Sequence, residues 1–462
     1  RRSRLHHFCP LPFAFCLLTW FFLAAPAARP QAPQVAGGII TTVAGTGTAG
    51  FSGDNGPGTQ AMVNFFKGPN EEEFGHIAVD QAGNVFIADK GNARIRKLAV
   101  NGTITTVAGT GTPGFAGDTG PAAAARLNAP CGIAVDRFAN IFIADQANHR
   151  VRKVDPAGVI TTIAGDGTAR FAGDGGPARS ASLHAPCAVA FDAAGNLYIA
   201  DTINDRVRMV NNLTGIITTI AGNGLHGDQE PGADGVAATT VKLGYPAGLL
   251  LDGAGNLYIA DHHNNVIRLV NLQNGQSRRI AGSGRHGDDE LGPNNVPAGS
   301  AILGYPVGLA LDSAGNLYIA DFHMNVIRRV TTPLGANPII TAVVGNGTYD
   351  FRGDGGPALE ALLAYPTGLA IDNSGNLFIA DWHNQRVRKV VPGSPAPPTP
   401  RPAIHSGGLV NGASFAPAPA RTAPGSVVSI FGLRLASGAQ AASTVPLPTS
   451  LLDTTVTITA GS

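Results

Sequence analysis

A ten-residue phrase, Asp-x-x-Gly-Asn-apolar-aromatic-Ile-Ala-Asp, returns six times along this 462-residue chain. Its copies run from Asp80 to Asp89, Asp136 to Asp145, Asp192 to Asp201, Asp252 to Asp261, Asp312 to Asp321 and Asp372 to Asp381. The second copy departs once, with Ala139 at the glycine position. Successive first aspartates are 56, 56, 60, 60 and 60 residues apart. A unit repeated at that period cannot bury its own apolar faces and must stack against its neighbours, which restricts the chain to repeat architectures.

Each repeat holds four apolar stretches of strand length, as at 132–136, 140–145, 150–154 and 159–165. Four strands per unit is the count of a propeller blade. The first two stretches are apolar on both faces, since Leu197 and Ile199 alternate with Tyr198 and Ala200. Such strands require cover on both sides, which adjacent blades supply. The third and fourth stretches carry more charge and threonine, as outer strands do, and Asp-x-x-Gly-Asn suits the tight turn between the first two. Fourth strands of the Ile-Thr-Thr type begin near 39, 103, 159, 216, 276 and 338. The first precedes every copy of the phrase and none follows the last. A closed ring resolves the mismatch if the strand near Ile39 joins the three strands between Thr367 and Val391 in one blade. The expectation is an all-β fold: a six-bladed propeller of four-stranded blades over residues 37–391, closed by an N-terminal strand.

The repeats, such as Pro-Cys-Gly-Ile-Ala-Val-Asp-Arg-Phe-Ala-Asn-Ile-Phe-Ile-Ala-Asp-Gln-Ala-Asn-His-Arg-Val-Arg-Lys-Val from Pro130, resemble NHL repeats. Together with Phe-x-Gly-Asp-x-Gly-Pro loops at Phe51, Phe115, Phe171 and Phe351, they resemble most the NHL domain of teneurins and its bacterial relatives. The resemblance covers about three quarters of the chain and implies the propeller fold. It implies no single activity, because such propellers include protein-binding, RNA-binding, sensing and a few enzymatic members.

The ends carry other signals. Arg1, Arg2 and Arg4 precede an apolar run from Phe13 to Ala25, followed by small residues suited to cleavage. That pattern reads as a secretory signal peptide over 1–28, too short to span a bilayer as a helix. Residues 392–407 are rich in proline and read as a semi-rigid linker. From Gly408 to Ser462 the pattern resembles the opening of a β-sandwich-like module found on exported proteins of environmental bacteria, and the sequence is read as a fragment at both ends. These features place the protein outside the cell or on its surface, with no transmembrane span in this chain.

Of four cysteines, Cys9 and Cys16 fall in the expected signal, leaving Cys131 and Cys187 at the same repeat position in adjacent blades. A disulfide is conceivable in an oxidising compartment, but the reading adopted is two small buried core residues, because equivalent positions on neighbouring blades can be too far apart for disulfide geometry. Without residues 1–28 the chain has 29 basic and 31 acidic residues, which offers no basic face for nucleic acid. The recurring Arg96, Arg152, Arg208, Arg268, Arg328 and Arg388 follow the phrase's last aspartate by seven residues and are expected to pair with it inside the blade.

No catalytic residue and no metal ligand is assigned from the sequence. The resemblance extends to NHL-type amidating lyases, which hold zinc with histidines, at least one of them just after the proline opening an innermost strand; here those places hold Cys131, Cys187, Ala247, Val307 and Thr367, and only His76 comes near, so the zinc site is not carried over. Glu71, Glu72 and Glu73 form part of an insertion that could offer Ca²⁺ oxygen ligands, but a solvated charged loop is the reading adopted. Asp54, Asp118, Asp174 and Asp354 are assigned to turns.

One asymmetry stands out. Tyr245, Tyr305 and Tyr365 precede the proline of the first strand in blades four to six, where blades two and three have Ala129 and Ala185. The same three blades carry His263, His323 and His383, with His262, Phe322 and Trp382 beside them. Propeller geometry places both sets on half of one rim, where aromatic rings with polar tips suit peptide or sugar surfaces. The competing reading is that the tyrosines pack between blades and the histidines cap turns. The function expected is a monomeric, exported, non-enzymatic scaffold for a protein or carbohydrate ligand, with a metal-dependent lyase or lactonase as the alternative.

Overall fold

A computed structural model of the chain describes residues 34–66, 74–229, 232–287 and 292–393, together with a two-stranded pair, Leu409–Asn411 and Val428–Ile430. The expected signal peptide, most of the proline-rich linker, most of the C-terminal module and Glu71, Glu72 and Glu73 lie outside the described residues.

Six antiparallel sheets follow one another around a central channel. Blade two is typical, with strands Pro130–Val135, Ile141–Asp145, Arg150–Val154 and Ile160–Ala164 in sequential order. Blade six is composite: Pro366–Ile371, Leu377–Asp381 and Arg386–Gly393 are completed by Gln34–Ala44, with Ile40 opposite Val390 and Thr42 opposite Arg388. The ring is thus closed by the N-terminal strand, as the strand count requires. Blades one, four and five add an outermost two-residue strand, at Gly56–Pro57, Val236–Ala237 and Val296–Pro297. The core lies between blades: Ile87, Leu98 and Ile104 of blade one pack with Phe378 and Val387 of blade six, and the other junctions repeat that arrangement.

The recurring phrase does two structural jobs. Its first aspartate caps the turn, with Oδ1 accepting the backbone N–H of the asparagine four residues on and Oδ2 accepting that side chain, as in Asp372 with Asn376 at 2.9 and 2.7 Å. The glycine between them takes a left-handed φ, +79° at Gly375, and Ala139 is held at +61° in the one blade without glycine. Its last aspartate is buried and pairs with the arginine seven residues later, Asp381 with Arg388 at 3.1 Å and Asp261 with Arg268 at 2.8 Å, both partners fully enclosed. The expected intrablade pairing is present in all six blades. Burial pushes the Asp381 carboxyl up to about 6, while Ala364 N–H, Asn384 and Arg388 pull against it.

The Phe-x-Gly-Asp loops complete this arrangement in four junctions. Asp54, Asp118, Asp174 and Asp354 give the buried arginine a second carboxylate, at 2.8 Å for Asp354 and Arg388. Phe351 lies over the Arg386 guanidinium, 3.7 Å from its ring centre, and within 4.8 Å of Arg388. The loop aspartates therefore do more than turn the chain. They neutralise an arginine that burial would otherwise leave with one partner.

The structure corrects the reading of the cysteines. Cys131 and Cys187 form a disulfide, with Cα atoms 5.2 Å apart. First strands of adjacent blades converge on the channel, so equivalent positions approach closely there. The same convergence leaves no room for a side chain at the next position: a Cβ on Gly132 would meet Cys187 O at 2.3 Å, and one on Gly248 would meet Val307 O at 2.0 Å.

Candidate functional rim

The half-rim is built by a latch between blades. The residue four past each phrase's last aspartate is left-handed, with φ between 49° and 53° at Ala93, His149, Asp205, Asn265 and Gln385 and 55° at Asn325. From blade two onward its side chain accepts a backbone N–H of the following blade, and in blades three to six the residue that donates it, Ala185, Tyr245, Tyr305 or Tyr365, is itself left-handed. Asp205 Oδ1 takes Tyr245 N–H, Asn265 Oδ1 takes Tyr305 N–H and Asn325 Oδ1 takes Tyr365 N–H, each at 2.9 Å. His149 Nδ1 takes Ala185 N–H at 3.1 Å, and Gln385 Oε1 takes Phe65 N–H at 2.9 Å across the closing junction. Left-handed backbone costs a bulky residue about 1–2 kcal/mol, so the tyrosines hold this conformation because the latch and inter-blade packing fix it.

These latches set three similar clusters on one face. At the entry to blade four, Tyr245 lies 4.5 Å from His226 and 4.4 Å from His263 between ring centres. At blade five, Tyr305 lies 4.4 Å from His286 and 6.0 Å from His323. At blade six, Tyr365 lies 5.0 Å from Tyr349 and 6.2 Å from His383, and the Tyr349 hydroxyl is hydrogen-bonded to His383 Nδ1. The clusters join into a belt through His262 stacked on Tyr305 at 4.9 Å, Phe322 on Tyr365 at 4.7 Å, and Trp382 against Phe66 at 4.5 Å. Every residue named for the half-rim is therefore within this belt, beside Phe74, which packs against His262 at 4.6 Å and Phe322 at 6.1 Å over the channel.

The belt is polar at its edge and apolar beneath. His226 and His383 are exposed, as is Tyr349, while Tyr245, Tyr305, Tyr365, His263, His323, Phe322 and Trp382 are partly covered. His262 is buried, with Nδ1 3.3 Å from Pro306 O. Asp205 Oδ1 also accepts from His226 Nδ1 at 3.1 Å, and His226 Nε2 lies 3.0 Å from His263 Nδ1. Burial holds the His383 imidazole below its usual pKa and pushes the Tyr349 phenol up. Tyr245, Tyr305 and Tyr365 pack against rings of neighbouring blades while remaining partly open to solvent.

A family model described as the teneurin NHL domain matches residues 111–171, and one described as the NHL repeat matches 363–390. The blades are NHL repeats. The NHL propeller is 30% identical over 329 residues to Protein SUPPRESSOR OF QUENCHING 1, chloroplastic, of Arabidopsis thaliana, covering 68% of this chain and 30% of that protein. It is 32% identical over 237 residues to Teneurin-1 of Mus musculus, covering 47% of this chain and 8% of that protein. The chain thus spans less than a third of these relatives. Among solved structures, an auxiliary nutrient binding protein from Bacteroides ovatus superposes with a TM-score of 0.54 at 13% identity, covering 77% of each chain. That likeness shows the fold.

Sequence reasoning missed part of the NHL rim. His226, His286 and Tyr349 sit four residues after Gly222, Gly282 and Gly345, whereas the same place holds Ala49, Pro113 and Ala169 before blades one to three. That offset, compared across loops, would have found them. Phe65 and Phe66 were hidden by the insertion after them; the latch from Gln385 shows that Phe65 occupies the tyrosine position of blade one.

Proposed function

We propose that the propeller is an exported binding scaffold whose protein or glycan ligand lies across the aromatic half-rim of blades four to six. The observation that carries this reading is the continuous belt from His226 to Phe66, in which three blades repeat one Tyr-with-histidine cluster that blades two and three lack. Side chains of this kind combine flat apolar area with hydrogen-bonding tips, the chemistry of sugar and peptide recognition. The apolar run after Arg1, Arg2 and Arg4 supports export, and among the described residues no helix is long and apolar enough to cross a membrane.

The test is a binding screen of the full chain on immobilised glycans and peptides, followed by the triple variant Tyr305→Ala, His323→Ala and Trp382→Phe. Loss of at least about 100-fold in affinity is expected if two hot-spot contacts are removed. A folded variant that binds its ligand as tightly as the wild type overturns the assignment of this face.

A further inference from the structure

We propose a second site on the channel axis: His76, Cys131 and Cys187 form a redox-gated Cys₂His centre for a soft d¹⁰ cation, Cu⁺ or Zn²⁺. It does not depend on what the rim binds. The Nδ1 or Nε2 of His76 and the two Sγ atoms lie within 4.8 Å of one another. Donors held 2.0–2.3 Å from one ion are about 3.3–3.9 Å apart, so small rotations bring these three into coordination distance.

The local sequence explains why a histidine reaches the axis here. His76 occupies the repeat position that is glycine in blades two, four, five and six and Ala188 in blade three. It is the sole large side chain at the ring's narrowest level. Its ring is hydrogen-bonded to the Ala247 backbone across the channel, while Nε2 is enclosed and makes no hydrogen bond. A backbone bond at one ring nitrogen with the other nitrogen vacant is the usual state of a ligating imidazole, because the first bond fixes tautomer and ring orientation. Phe74 packs with both cysteines, Ala247 and Val307 in a small apolar cluster that caps the site, and both sulfurs are fully buried. Phe74 O lies 2.8 Å from Cys131 Sγ, an acceptor that only the reduced thiol can use.

The gate is the disulfide. A dithiol reductant transfers two electrons to the Cys131–Cys187 bond, the S–S bond breaks, two protons are taken up to give two thiols, and the dithiol becomes a cyclic disulfide. Binding the cation releases those two protons as both sulfurs ligate as thiolates. A disulfide oxidant closes the cycle: exchange with the two thiolates reforms the Cys131–Cys187 bond, the oxidant takes the two electrons and two protons to become a dithiol, and the ion leaves. Two thiolates and one imidazole in a largely apolar pocket match the preferences of soft ions over Ca²⁺ or Mg²⁺.

The experiment uses the full chain carrying Cys9→Ser and Cys16→Ser, which removes competing thiols. After anaerobic reduction with dithiothreitol and desalting, it is titrated with Cu⁺ against a chromogenic chelator, and in parallel with Zn²⁺. One ion per reduced chain is expected, none for the oxidised chain, and at least about 100-fold weaker binding for His76→Gln. Cu⁺ alone would show a three-coordinate site; Zn²⁺ binding would show that water supplies a fourth ligand. Cys131→Ala and Cys187→Ala imitate Ala247 of blade four, so each should fold, checked by circular dichroism, and each should abolish binding. Unchanged binding in either variant overturns the proposal, as does a disulfide that dithiothreitol cannot open in the folded chain.

Discussion

Replacing Gln385 by alanine should loosen the ring at its closing junction. Gln385 is 2% exposed and its Oε1 accepts Phe65 N–H at 2.9 Å, where Phe65 is itself fully buried. A buried donor left without a partner costs about 1–3 kcal/mol, and losing the one buried methylene beyond Cβ adds about 0.8 kcal/mol. The Trp382 carbonyl, which accepts from Gln385 Nε2 at 2.9 Å, keeps the Gln385 backbone N–H at 3.2 Å, so it adds little. The expected loss is about 2–4 kcal/mol. With about 2.1 cal/mol/K of unfolding entropy per residue over some 360 residues, that corresponds to a fall in Tm of about 3–5 °C. Differential scanning calorimetry reads the shift, and hydrogen exchange at the Phe65 amide reads the cause. Gln385→Asn should lose less, because Asn265 and Asn325 make the same latch in other blades. A Tm within about 1 °C of wild type with an equally protected Phe65 amide would refute the latch as a source of stability.

Other expectations follow from the same geometry. Ala93 is the one latch position without an acceptor side chain, so Ala93→Asn should reach Ala129 N–H and stabilise by about 0.5–1.5 kcal/mol, measured by urea unfolding. Asp321→Asn should cost about 3–5 kcal/mol, and Asp381→Asn less, because Arg388 retains Asp354 at 2.8 Å whereas Asp321 is the carboxylate paired with Arg328 among the described residues. His383 has its folded pKa lowered by burial, so the unfolded chain takes up that proton first as pH falls through the usual histidine value. The Tm of the wild type minus that of His383→Gln should therefore shrink between pH 7.5 and 5.5, roughly the window around an ordinary imidazole pKa. A difference that grows over that interval would reverse the assigned sign.

The fold was legible because repetition over-determines it. Six copies of one turn and one Asp–Arg pair, with an unmatched Ile-Thr-Thr strand at the front, leave a closed ring as the arrangement that pairs every edge. The half-rim was partly legible, since Tyr245, Tyr305, Tyr365 and their histidines break an otherwise regular pattern. What escaped notice lies where spacing is irregular: His226, His286 and Tyr349 stand in loops that differ in length and motif, and Phe65 precedes an insertion. The cysteine pair escaped for a geometric reason, because distance between equivalent positions depends on their radius from the axis, and only the innermost level brings them to 5.2 Å. The second carboxylate at four of the buried arginines also required the fold, since Asp54 and Arg96 are 42 residues apart in the chain.

The composite blade gives the propeller a mechanical polarity. Gln34 is opposite Gly393, and the two strands run antiparallel away from that point. Tension applied through residues 34 and 393 would part their ladder one hydrogen bond after another, as a zipper opens, because such bonds lie across the strands and along the pull. Tension applied through two points on different blades would load many bonds together. The propeller should therefore yield more readily when pulled through residues 34 and 393 than when pulled across its face.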